Sequence, residues 1–137
     1  MDTKTNVEIL REGYRLWNDS KAESVDYWLG LLAEDVQWCS IGDGAPGLEF
    51  SKTRSSKAEV VEYLQELGSE WNLIHYSVEE FVAEGDRVVV LGNCGWCNKR
   101  TGRTVESPKA DFFRLKDGKI VEFFEFFDTA KSIAATQ

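Results

Sequence analysis

The sequence predicts an α+β fold, with helices leading and an antiparallel sheet following. Two observations carry this reading. Three stretches of helical periodicity come first and four long strands joined by short turns come last, the segregated order of an α+β domain. The chain also holds five Trp and eight Phe among 137 residues, an aromatic load that fills a core and can line a pocket as well.

Each helix start shows a hydroxyl residue followed three positions later by a glutamate. This is the capping box, in which side chain and backbone satisfy each other's free amides. Thr5 with Glu8 opens the first helix, and Val7, Leu10, Tyr14 and Trp17 follow at helical spacing. Ser20 with Glu23 opens the second, followed by Val25, Trp28, Leu29 and Leu32. Ser56 with Glu59 opens the third, followed by Val60, Tyr63, Leu64 and Leu67, with Gly68 as its stop. A short strand over 36–41 runs into Gly42, Asp43, Gly44, Pro46 and Gly47, which read as a flexible lip. Strands over 73–83, 87–97, 104–115 and 120–127 are joined at Gly85-Asp86, Thr101-Gly102 and Asp117-Gly118, an antiparallel meander.

The chain reads as one domain over 1–137, with no repeat or linker. Its formal charge of -8 repels phosphate backbones, and the basic residues form no stripe, so nucleic acid is not an expected partner. No apolar run is long enough to span a bilayer, and the charged opening residues lack the apolar stretch of a signal peptide. The expected partners therefore exclude a membrane, and the expected location is the cytoplasm. Three cysteines without a signal peptide do not make a disulfide framework.

The last hairpin predicts which side chains share a face. A three-residue loop, Lys116-Asp117-Gly118, pairs Leu115 with Lys119, Phe113 with Val121 and Asp111 with Phe123. One face then carries Asp111, Phe113, Leu115, Val121, Phe123, Glu125 and Phe127. The other carries Ala110, Phe112, Arg114, Ile120, Glu122, Phe124 and Phe126. Both are apolar and the helices cover only one, so the outer face is expected to meet a second subunit in a homodimer. On the inner face Asp111 and Glu125 stand among large apolar groups. Burial and a second carboxylate both disfavour their ionised forms, which is how acid/base groups are tuned. The structural alternative is that Asp111 accepts from a helix tryptophan or a backbone amide, and that Glu125 reaches solvent.

The stretch Thr101-Gly102-Arg103 and the run from Asp111 to Glu122 resemble the ending of SnoaL-like polyketide cyclases, in the nuclear transport factor 2-like superfamily that also holds the ketosteroid isomerases. The opening is similar too, with a helix ending in Trp17-Asn18-Asp19-Ser20 and a second leading to Leu32-Ala33-Glu34-Asp35-Val36-Gln37-Trp38. The resemblance implies a cone-shaped, curved antiparallel sheet closed by three N-terminal helices, a cystatin-like α+β barrel, usually in homodimers. It puts Asp111 where the cyclases keep an acid/base aspartate and the isomerases a protonated aspartic acid. The isomerases' general base would fall at Ser40, their oxyanion tyrosine near Gly13 beside Tyr14, and the cyclases' histidine near Cys94.

The candidate catalytic residues are therefore Asp111 and Glu125. The candidate pocket residues are Tyr14, Trp17, Trp28, Trp38, Ser40, Tyr63, Phe113, Phe123 and Phe127. No metal or cofactor is expected. Cys94-Gly95-Trp96-Cys97 has redox or zinc spacing, but it lies at a strand end, and zinc would need two more ligands from Cys39 and His75. His75, the one histidine, shares a strand face with Leu73 and Ser77, and whether that face points inward stays open. Two functions fit: a cofactor-free isomerase or cyclase acting on an apolar carbonyl compound, or a ligand-binding or dimerisation module without chemistry.

Overall fold

A computed structural model describes residues 5–137; the first four residues of the single-domain reading lie outside the described residues. Helices α1 (Asn6–Asp19) and α2 (Val25–Leu31) lead into β1 (Leu32–Ser40). A 3-10 turn (Glu49–Ser51) and α3 (Lys57–Glu70) follow, then β2 (Trp71–Glu84), β3 (Arg87–Asn98), β4 (Thr104–Lys116) and β5 (Lys119–Phe126). A short α4 (Thr129–Ala135) ends the chain. The strands form one curved sheet in the order β1-β5-β4-β3-β2. The meander from β2 to β5 is antiparallel as expected, but β1 joins β5 in parallel, so the sheet is mixed. β1 and β2 remain its edges and the sheet itself stays open, a curved sheet with the N-terminal helices packed against it as the resemblance implies.

Two of the three capping boxes need revision. Thr5 and Glu8 form theirs in full. Ser56 accepts from the Glu59 amide, while Glu59 reaches back to the amide of Ser55. Ser20 does not start a helix. Its hydroxyl accepts from the amides of Glu23 and Ser24, but Lys21 and Ala22 sit at φ 53 and 70, and α2 begins only at Val25. Gly68 does not end α3 either. The helix runs on to Glu70, where the amide and ammonium of Lys99 take the free carbonyls of Glu70 and Gly68.

The hairpin register differs from the three-residue loop. Lys116 pairs with Lys119, so the turn is Asp117-Gly118 alone, both residues left-handed at φ 52 and 76. An irregularity between Arg114 and Leu115 then leaves Val121 unpaired, and Phe113 meets Phe123 while Asp111 meets Glu125. Ile120, assigned to the outer face by simple alternation, is fully buried for this reason. The bulge restores the expected phase beyond it, so Phe123 and Glu125 point inward after all.

The lip after β1 is hydrogen-bonded rather than loose. Glu49 accepts from the Gly47 amide, and Ser51 accepts from Gly44 while donating to the Leu48 carbonyl. α4 has no counterpart in the sequence reading. Ile133 is its one large apolar residue, and the Asp128 carboxylate that caps the Lys131 amide is its only start signal. Among the described residues no helix is long and apolar enough to cross a membrane.

Candidate functional site

The helices and the concave face of the sheet line a partly open cavity of about 110 Å³, of the order of the ~150 Å³ apolar cavities that accept a benzene ring. Ten of the eleven candidate residues line it. Tyr14 and Trp17 come from α1, Trp28 from α2, Trp38 from β1 and Tyr63 from α3. Asp111 and Phe113 come from β4, Phe123 and Glu125 from β5, and Phe127 follows β5. Ser40 is the exception: it is buried on β1 away from the cavity, where its hydroxyl accepts from the Gly42 amide.

The aromatic walls are built by specific approaches. Trp28 stacks on Phe113 with centroids 6.1 Å apart and meets Tyr14 edge-on at 5.2 Å. Trp38 stacks on Phe123 at 3.9 Å. Gly13 permits the Trp28 placement, because a Cβ there would lie 2.8 Å from the indole ring. The position where the resemblance put an oxyanion tyrosine is therefore reserved for helix packing, and Tyr14 beside it reaches the cavity.

The polar cluster has a centre that sequence reasoning missed. Lys109 Nζ lies 2.6 Å from Asp111 Oδ1 and 3.1 Å from Glu125 Oε2, and bridges the two carboxylates. Tyr14 and Tyr76 each donate to Asp111 Oδ2 at 2.5 Å. Tyr63 donates to Glu125 Oε1 at 3.1 Å. Asp111 and Glu125 are 2% and 5% exposed: Asp111 accepts from tyrosines, one of them on α1, rather than from a tryptophan or a backbone amide, and Glu125 does not reach solvent. Burial, reinforced by Asp111, pushes the Tyr14 and Tyr76 hydroxyls well above the usual tyrosine range. Burial and the Glu125 carboxylate do the same to Tyr63. For Lys109 burial acts to lower the pKa, but the Asp111 and Glu125 carboxylates outweigh it and hold the ammonium well above its ordinary value. All three phenols thus stay protonated and Lys109 stays charged at neutral pH.

Lys109 was legible in principle, since it stands two residues before Asp111 and so on the same strand face. Tyr76 was not. A register shift in β2 between Leu73 and His75 turns Leu73 and Tyr76 to the same inner side. His75 lies off the cavity, between Ser77 Oγ at 3.0 Å and a Glu106 carboxylate oxygen at 2.8 Å. Cys94 lines the cavity as a neutral thiol that burial pushes up to about 11. All three cysteines are free, and among the described residues no His, Cys, Asp or Glu cluster is arranged to hold a metal.

Residues 10–123 match the SnoaL-like domain. The chain belongs to the SnoaL-like family. An NTF2-like protein of unknown function from Burkholderia pseudomallei is 24% identical and superposes with a TM-score of 0.84, covering 98% of this chain and 99% of that one. An NTF2-like protein from Burkholderia thailandensis is 26% identical with the same TM-score and coverage. TerC, solved with polyporic acid, is 22% identical with a TM-score of 0.79, covering 96% of this chain and 97% of its own. No curated protein matches the chain. These likenesses establish the fold.

Proposed function

We propose that the protein is a cofactor-free acid/base enzyme that isomerises, cyclises or dehydrates a small apolar carbonyl compound. The observation that supports this is one cluster, in which two carboxylates, an ammonium and three phenols meet at the wall of an otherwise aromatic cavity. Asp111 accepts from Lys109, Tyr14 and Tyr76, so its oxygens are committed to holding those donors. Glu125 accepts from Lys109 and Tyr63, both at 3.1 Å, and is the less committed carboxylate.

In the reaction that fits this division of labour, Glu125 takes a proton from the carbon beside the carbonyl, and the electron pair moves onto the carbonyl oxygen. Tyr14 and Tyr76, each with a single O–H, exchange their bonds to Asp111 for hydrogen bonds to that oxygen as its charge grows, while the Lys109 ammonium stays on Asp111 and offsets the added charge. In the isomerisation of a β,γ-unsaturated carbonyl compound, Glu125 returns the same proton at the far carbon of the dienolate. The apolar walls exclude the water that would otherwise screen these charges.

The alternative is a ligand-binding module in which Asp111 only orients a bound molecule. The mutual satisfaction of the cluster without a ligand favours it. Exchange of the α-protons of 2-tetralone in deuterated buffer, followed by NMR, separates the two. The enzyme reading expects exchange above the buffer rate, lost in Glu125→Gln and Asp111→Asn while 2-naphthol still binds Glu125→Gln. Binding of 2-naphthol with no exchange above buffer supports the module.

A further inference from the structure

We propose that Arg54 is a positioning residue that sets Tyr63 against Glu125; this rests on the reading of Glu125 as the proton-moving group. Arg54 is among the largest fully buried side chains, at 1% exposure, and does not line the cavity. Its guanidinium is held from several sides. Nη2 donates to the Phe50 carbonyl at 2.9 Å and to the Glu66 carboxylate at 2.7 Å. Nε donates to the Lys52 carbonyl at 3.2 Å, and Nη1 to the Glu59 carbonyl at 3.4 Å. Glu62 adds a carboxylate 3.6 Å from Nη1. The Arg54 backbone also pairs with Trp38 in both directions at 2.8 Å.

One residue therefore ties β1 at Trp38, the 3-10 turn at Phe50 and α3 at positions 59, 62 and 66. Those same three elements present an aromatic trio to the cavity, with the Trp38 and Phe50 rings 5.6 and 5.9 Å from the Tyr63 ring. Tyr63 in turn donates to Glu125. The chain of contact runs from the guanidinium, through α3 and its two neighbours, to the phenol that restrains the candidate base. A planar fork that meets three carbonyls and two carboxylates is a geometry that lysine's single ammonium does not reproduce.

The test is a double-mutant cycle of Arg54→Lys and Tyr63→Phe in the full-length chain, reading 2-naphthol affinity from pH 5 to 9, with circular dichroism to check folding. Arg54→Lys should weaken binding about tenfold and move the pH profile in the same direction as Tyr63→Phe. In the Tyr63→Phe background it should cost less than twofold more. Fully additive losses, or a pH profile that Arg54→Lys leaves in place, overturn the proposal. If Arg54→Lys does not fold, Glu66→Gln replaces it. That variant removes the negative charge from the 2.7 Å pairing at a side chain 44% exposed, and the same two outcomes apply. The coupling is read from binding, so it stands or falls separately from the 2-tetralone exchange that tests Glu125.

Discussion

Tyr76 on β2 donates a 2.5 Å hydrogen bond to Asp111 on β4, although β3 lies between the two strands. In a flat sheet, strands two apart stand nearly 10 Å from each other. The bond closes because the sheet curves and because the β2 register shift turns Tyr76 inward. The candidate site is thus a product of curvature as much as of residue choice. Tyr76→Phe should keep the fold and leave Asp111 Oδ2 with Tyr14 as its remaining phenol donor. The expected loss is about 1.5–3 kcal/mol of stability, the range for a hydrogen bond to a charged group. Urea unfolding at pH 7 measures it, and a variant as stable as the parent would show that the bond contributes nothing.

Alkaline pH should unfold the protein earlier than its acidic composition suggests. Tyr14, Tyr63 and Tyr76 are held above the ordinary tyrosine value of 10.0 in the folded chain, and Lys109 above the ordinary lysine value of 10.5. The folded state therefore keeps protons that the unfolded state releases, and stability falls as pH rises. The contribution is fully present below about pH 10 and is lost progressively above it. Thermal melts between pH 8 and 11 should show a steep fall beginning near pH 10. The triple variant with Phe at all three tyrosines, if folded, should show a shallower one.

How much of this was legible depended on parity. Period-two alternation put Asp111, Phe113, Phe123 and Glu125 on one face correctly, since β4 is regular up to Arg114 and the bulge near Val121 cancels the error in loop length. The same alternation failed for Ile120, which sits inside that irregular stretch, and for Tyr76, which follows a shift no residue announces. Ser40 was carried over by resemblance to a base position. Its place on β1 is real, but the side chain turns to the Gly42 amide. α4 escaped notice because its docking rests on Ala135, Ser132 and Ile133, too few apolar atoms to mark a helix.

We propose a homodimer through the outer sheet face. Phe124 and Phe126 lie 4.7 Å apart there, Phe126 is 44% exposed, and Phe112 pairs with Phe124 on one side and Val89 on the other. An apolar strip across three strands is more than a solitary domain usually leaves in water. Sedimentation at micromolar concentration should give twice the chain mass, and Phe126→Arg should shift it to monomer with 2-naphthol binding retained. A parent protein that sediments as a monomer rules the assembly out.

The sharpest test of the polar cluster is Lys109→Met. The substitution keeps most of the unbranched stem and removes the charge, leaving Asp111 and Glu125 buried and facing each other across the β4–β5 pair. Breaking a buried ion pair by removing one partner costs about 3–5 kcal/mol, because the remaining charge has no compensation. Here two carboxylates lose their shared cation at once, so the cost should lie at the upper end of that range. It should also become dependent on pH in a definite direction. Buried carboxylates without a cation bind protons more tightly in the folded chain than in the unfolded one, so the folded state is favoured as pH falls. Lys109→Met should therefore recover part of its lost stability between pH 7 and 5. Urea midpoints at the two pH values read the difference directly. A variant whose deficit is the same at both would mean that Lys109 holds the site by packing its aliphatic stem, and that the carboxylates do not need its charge.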